Sequence, residues 1–142
     1  MKLFLDANVI FSAAYRDEGR PQDLIALARA GLCTLLTSAH ALEEARRNLE
    51  LKSRDSGQRF AAALTAITVV AEAPHALVTW SQQQGLPLKD APILAAAIHA
   101  RADLLVTGDA RDFGHLYDRT LRGTRVATLA RAIDLVLTQA GV

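Results

Sequence analysis

Short apolar runs alternate along this chain with longer stretches in which apolar residues recur every three or four positions, the pattern of strands interleaved with helices. Residues 2–5 form one such run and end on Asp6, after which residues 8–15 take helical spacing, so a strand feeds a helix through an acidic turn. Pro21 suits a first helical position, Leu24, Ile25, Leu27 and Ala28 make an apolar stripe, and Gly31 stops the helix. A second strand is predicted at 32–36. Thr37 and Ser38 are N-cap types and precede a helix over 39–51, with Leu42, Ala45 and Leu49 on one face. The polar stretch 52–58 breaks that pattern as an inter-helix loop, 60–64 resumes a helix, and the β-branched run 67–70 predicts a third strand. Pro74 opens a helix that reaches Gln84 and ends at Gly85.

The most informative stretch is Leu88-Lys89-Asp90-Ala91-Pro92-Ile93-Leu94-Ala95-Ala96-Ala97-Ile98-His99-Ala100, an alanine-rich helix built for close packing, with Asp90 as its natural N-cap. Leu104, Leu105 and Val106 follow as a short buried strand that Thr107-Gly108-Asp109 breaks with an acidic turn. Residues 125–127 predict a last strand and 128–140 a closing helix. Strands alternating with helices predict an α/β fold: a single domain over residues 1–142, its central parallel sheet of about four to five strands flanked by helices. The active crevice of such a sheet lies beyond the strands' carboxyl ends, where Asp6 and Asp109 both emerge. No internal repeat, heptad pattern or domain boundary interrupts it.

Composition narrows the class. With 142 residues and 51% of them hydrophobic, the chain supports one core rather than two. Cys33 is the sole cysteine, which rules out an intramolecular disulfide and fits a reducing compartment. The first apolar run is too short for a secretory signal, and no segment approaches the roughly 18 apolar residues of a membrane span, so a cytoplasmic protein without membrane contact is expected. A net charge of +1 does not announce a nucleic-acid binder. Thirteen arginines against three lysines suit bidentate phosphate recognition, although surface solvation and GC-rich coding explain the same bias.

Four acids set in apolar surroundings change the picture more: Asp6 and Asp109 at strand ends, Glu44 and Asp90 on helices. Gathered at one end of the sheet, carboxylates about 4 Å apart repel by a few kcal/mol per pair at an effective dielectric near 20, which a small domain tolerates only with compensation. A cation supplies it. Oxygen ligands without clustered Cys or His favour Mg²⁺ or Mn²⁺ over zinc, and an ion of that kind activates water against a phosphodiester. Helix capping alone accounts for Asp6 and Asp90, each cap being worth roughly 1 kcal/mol, but gives no reason for Glu44 and Asp109. Glu43 rivals Glu44, since adjacent helical residues point about 100° apart and only one can face the crevice. Asp112 could join the metal shell, act through a water, or cap a helical turn. His40, His75, His99 and His115 lack metal-ligand spacing, and Trp80 and Tyr15 sit at packing positions.

Leu5-Asp6-Ala7-Asn8-Val9-Ile10, Glu44, Asp90-Ala91-Pro92-Ile93-Leu94-Ala95-Ala96-Ala97 and Val106-Thr107-Gly108-Asp109, in that order, resemble a PIN domain over nearly the whole chain. The resemblance implies a Rossmann-like sheet and a Mg²⁺- or Mn²⁺-dependent ribonuclease centre formed by Asp6, Glu44, Asp90 and Asp109, with Asn8 and Thr107 in support. It also favours Glu44, six residues after Ser38, over Glu43. Chains of this length in the family resemble VapC-like toxins of toxin–antitoxin pairs, which implies an RNA substrate, a small antitoxin partner and a homodimer. Rival classes are an inactive PIN-like interaction module and a Mg²⁺-dependent phosphoacceptor or aspartyl-phosphate phosphatase. The phosphatase needs an acid where Asn8 stands, and the phosphoacceptor needs an early acidic pair and a late lysine, neither of which is evident.

Overall fold

The computed structural model describes residues 1–52 and 54–142. Strands β1 (Lys2–Leu5), β2 (Thr34–Ser38), β3 (Ile67–Val70), β4 (Leu104–Val106), β5 (Thr120–Leu121) and β6 (Thr124–Ala127) form one sheet in the order β3-β2-β1-β4-β6-β5. The first five in that order are mutually parallel, and β5 pairs antiparallel with β6 at the edge. Helices α1 (Ala7–Tyr15) and α2 (Arg20–Arg29) connect β1 to β2. Helices α3 (Ala39–Lys52) and α4 (Gly57–Leu64) lead to β3, and α5 (His75–Gln82) and α6 (Ala91–His99) lead back to β4. The short α7 (Ala110–Phe113) and the terminal α8 (Leu129–Gln139) complete the chain.

Successive strand residues point to opposite faces, and all of Leu3, Phe4, Leu5, Leu104, Leu105 and Val106 are buried, so helices cover both sides of the central strands. α6 is buried almost all round, from Ala91 through Ala97 except Pro92, because its alanines let it lie close to the sheet and to α5. Chain order reverses direction at β1, which has β2 on one side and β4 on the other. Ligands of open α/β sheets bind at the carboxyl ends beside such a switch point.

Several boundaries differ from the sequence expectation. The second strand begins and ends two residues later than predicted, taking in Thr37 and Ser38, because parallel pairing to β3 continues through Ser38↔Val70. Ser38 still acts as a cap, its hydroxyl accepting from Ala41 N at 3.2 Å. The polar stretch 52–58 is largely helical: Lys52 ends α3, a 3₁₀ turn spans Arg54–Ser56, and α4 starts at Gly57, while Ser53 lies outside the described residues. The unanticipated β5 exists because Arg122 (φ +49°) and Gly123 (φ +91°) make a two-residue hairpin turn. Gly85 ends the α5 segment at φ +84°, where a Cβ would stand 3.0 Å from His115 Nε2. Among the described residues no helix is long and apolar enough to cross a membrane.

Candidate metal centre

β1 and β4 run side by side in register Leu5↔Val106, and the Asp6 amide donates to Val106 O at 3.0 Å, so Asp6 and Thr107 leave the sheet together. Asp6 is only 3% exposed. Its carboxylate accepts from Ala7 N (2.7 Å), Thr107 Oγ1 (2.7 Å) and Asn8 Nδ2 (3.1 Å), so it caps α1 and is clamped from the neighbouring strand. Asn8 extends the clamp, accepting from Gly108 N at 2.8 Å, and a Cβ on Gly108 would come within 3.3 Å of Asn8 Oδ1. Burial raises the Asp6 pKa, the bonds from Thr107 and Ala7 oppose it, and Glu44 and Asp109 push it further up.

Asp90 stands at the N-cap position of α6 but its side chain makes no capping bond. It is 2% exposed, and its Oδ2 is buried with no hydrogen bond, facing the Lys89 ammonium at 3.4 Å. Burial first, then the adjacent Asp112 carboxylate, pushes it up to about 7 against the opposing Lys89 ammonium. Asp112 moves the opposite way, lowered by its contacts with Asp90 and Lys89. Contrary to the expectation that capping gives no reason for Asp109, its side chain caps α7 by accepting from Asp112 N at 3.1 Å, and its own amide donates to Thr107 Oγ1 at 3.1 Å.

Asp6, Asn8, Glu44, Asp90, Gly108 and Asp109 line one cavity of about 300 Å³ together with Ala7, Asn48 and Lys89. Two of its acids, Asp90 and Asp109, cluster with Asp112, each of the three offering an oxygen within 4.8 Å of the others, a group able to hold a divalent metal. A dication fits this chemistry: hard oxygen donors, and one buried oxygen that no hydrogen bond satisfies. The Asp90 cap reading is corrected, since its carboxylate satisfies no helix amide. Glu44 is half-buried and faces the cavity, whereas Glu43 is exposed and bound to Arg46.

Three further residues at the site were not singled out from the sequence. Lys89 sends its ammonium into the acids, 3.2 Å from Asp112 Oδ2 and 3.4 Å from Asp90 Oδ2. Its position directly before Asp90 was the available signal. Asn48 lies one helical turn beyond Glu44 on α3, and the Tyr117 hydroxyl donates to Thr107 O at 3.1 Å. Of the arginines, Arg46 pairs with Glu43 and Glu50, Arg125 with Asp118, and Arg122 stacks over Trp80 at 4.0 Å.

Over residues 2–111 the sequence matches the PIN domain family. The chain belongs to that family. Solved structures share the PIN fold at low identity. A chain of VapBC2 from Rickettsia felis, crystallised with a DNA fragment from their promoter, is 18% identical with a TM-score of 0.67, covering 90% of this chain and 98% of that one. PAE2754 from Pyrobaculum aerophilum is 17% identical with a TM-score of 0.69, covering 98% and 100%. VapC20 from Mycobacterium tuberculosis, described as a sarcin–ricin loop cleaving toxin, is 16% identical with a TM-score of 0.54, covering 77% and 91%. No curated protein has a significantly similar sequence.

Proposed function

We propose that this PIN domain is a metal-dependent endoribonuclease that hydrolyses RNA phosphodiester bonds, the toxin of a toxin–antitoxin pair. The observation that carries the reading is Asp90: a carboxylate 2% exposed, capping no helix, with a buried oxygen that no hydrogen bond satisfies, clustered with Asp109 and Asp112. Burying such a group is costly unless a ligand meets it.

In this reading Asp6, Glu44, Asp90 and Asp109 hold Mg²⁺ or Mn²⁺, with Asp112 as a further ligand beside Asp90. Thr107 and Asn8 keep the Asp6 carboxylate turned toward the cavity through their hydrogen bonds. When bound, the ion lowers the pKa of a water in its shell and stabilises charge on the phosphoryl oxygens. The PIN family match supports a nuclease, and the likeness of fold to VapC20 and to a VapBC2 chain supports the toxin assignment and an antitoxin partner.

End-labelled RNA incubated with the purified protein tests this. Cleavage that requires Mn²⁺ or Mg²⁺, stops in excess EDTA and is lost in Asp6→Asn is the expected result; cleavage unaffected by EDTA contradicts it.

A further inference from the structure

Lys89 is the only cation lining the acidic cavity among the described residues, and its ammonium contacts the carboxylates assigned above to the metal. Nζ lies 3.2 Å from Asp112 Oδ2, 3.4 Å from both oxygens of Asp90 and 4.0 Å from Asp109 Oδ2. The three carboxylates whose oxygens cluster within 4.8 Å are therefore the three that Lys89 bridges. A divalent ion binds carboxylate oxygen at about 2.0–2.6 Å. Two cations cannot share these oxygens closely without strong mutual repulsion.

The lysine is held at its base and exposed along its stem. His40 Nε2 donates to its carbonyl oxygen at 3.0 Å, which pins the backbone from α3. The side chain is 58% exposed, so its four-carbon stem pivots in solvent about a fixed base.

We propose that Lys89 is a resident counter-cation that yields the carboxylates of Asp90, Asp109 and Asp112 to the divalent ion and then binds a phosphate of the RNA strand. The inference rests on the ribonuclease reading and adds a residue to it. With no ion bound, Lys89 offsets part of the repulsion among the acids. With the ion bound, the same charge serves the substrate. Lys89 thereby couples metal loading to RNA binding.

The test compares wild type, Lys89→Met and Lys89→Arg. Calorimetric titration with Mn²⁺ alone, without RNA, should give a dissociation constant roughly three- to tenfold lower for Lys89→Met, because a competing cation is gone. Binding of a fluorescent single-stranded RNA oligonucleotide is then measured with Ca²⁺ in place of Mn²⁺. Lys89→Met should bind about tenfold more weakly, and its slope of log affinity against log salt should be shallower by about 0.7, the loss of one phosphate contact. Lys89→Arg should keep the wild-type RNA affinity and slope. Equal or weaker Mn²⁺ affinity in Lys89→Met, with wild type binding normally, overturns the counter-cation role alone. Unchanged RNA affinity and slope overturn the phosphate role. A wild-type protein that binds no Mn²⁺ overturns the metal centre, and the Lys89 proposal with it.

Discussion

Thr107 Oγ1 donates a 2.7 Å hydrogen bond to Asp6 Oδ2, tying together the carboxyl ends of two adjacent parallel strands. Thr107 Oγ1 also accepts from Asp109 N, so one hydroxyl orients two acids of the cavity. Thr107→Val keeps the shape and removes the donor. It is expected to destabilise the fold by about 1–3 kcal/mol, since the lost bond goes to a charged acceptor. It should also weaken Mn²⁺ binding by about tenfold or more, while Thr107→Ser stays close to wild type; urea melts and Mn²⁺ titrations of both variants check this.

Asp90 and Asp6 respond differently to the same change. Asp90 caps nothing and its Oδ2 accepts no hydrogen bond, meeting the exposed Lys89 ammonium, so Asp90→Asn removes a buried charge at little structural cost. In metal-free buffer at pH 8 that variant should match or exceed wild-type stability, by up to about 2 kcal/mol, and lose the stabilisation that Mn²⁺ gives wild type. Asp6 accepts three hydrogen bonds, and Asp6→Asn should lower stability by about 1–2 kcal/mol as well as abolish cleavage. Thermal melts with and without Mn²⁺ separate the two.

The pH dependence follows from Asp90. In the folded chain it titrates at about 7 instead of 3.8, and Asp6 is raised in the same direction. Between those values the folded state holds protons that the unfolded state has released, so metal-free stability is fully present below about pH 4 for these groups and falls as pH rises through about 7. Metal must displace the same protons. The rise in Tm produced by saturating Mn²⁺ should therefore be larger at pH 8 than at pH 5.5; equal shifts at both would count against these acids as the ligands.

Glu44 and Glu43 are adjacent but face different surroundings. Glu44→Gln should cut RNA cleavage by at least about tenfold, since a cavity carboxylate is lost. Glu43→Gln gives up only exposed contacts to Arg46 and should leave cleavage unchanged. Turnover of a labelled RNA by both variants decides the assignment.

Much of this architecture was legible in periodicity. All five predicted strands are present: four are short buried runs, β3 was legible through its β-branched residues although only Ile67 is buried, and the alanine-rich α6 packs as its small residues imply. β5 was hidden because two residues give no alternation to read, and its pairing depends on the turn at Arg122 and Gly123. Thr37 carries cap chemistry that its sheet pairing outweighs, while Ser38 pairs in the sheet and also caps α3. In the site, the strand-end acids announced themselves by interrupting apolar runs. Asp112 was ambiguous because its spacing from Asp109 fits a helical turn as well as a ligand, and both relationships occur: its amide bonds Asp109 while its carboxylate joins the cluster. Lys89 and Asn48 were missed because adjacency to Asp90, the only signal for the lysine, does not say which way a loop lysine points, and nothing marks the direction of an exposed helical asparagine.

The central claim is that the acids at this switch point hold a divalent ion. Crystals of the wild-type protein grown with Mn²⁺ and measured near the manganese absorption edge test it most directly. An anomalous peak within about 2.6 Å of oxygens from Asp90 and Asp109, with Asp112 or Asp6 alongside, is the expected result. Saturating Mn²⁺ with no peak in this cavity, or with peaks only at surface acids elsewhere, would contradict it.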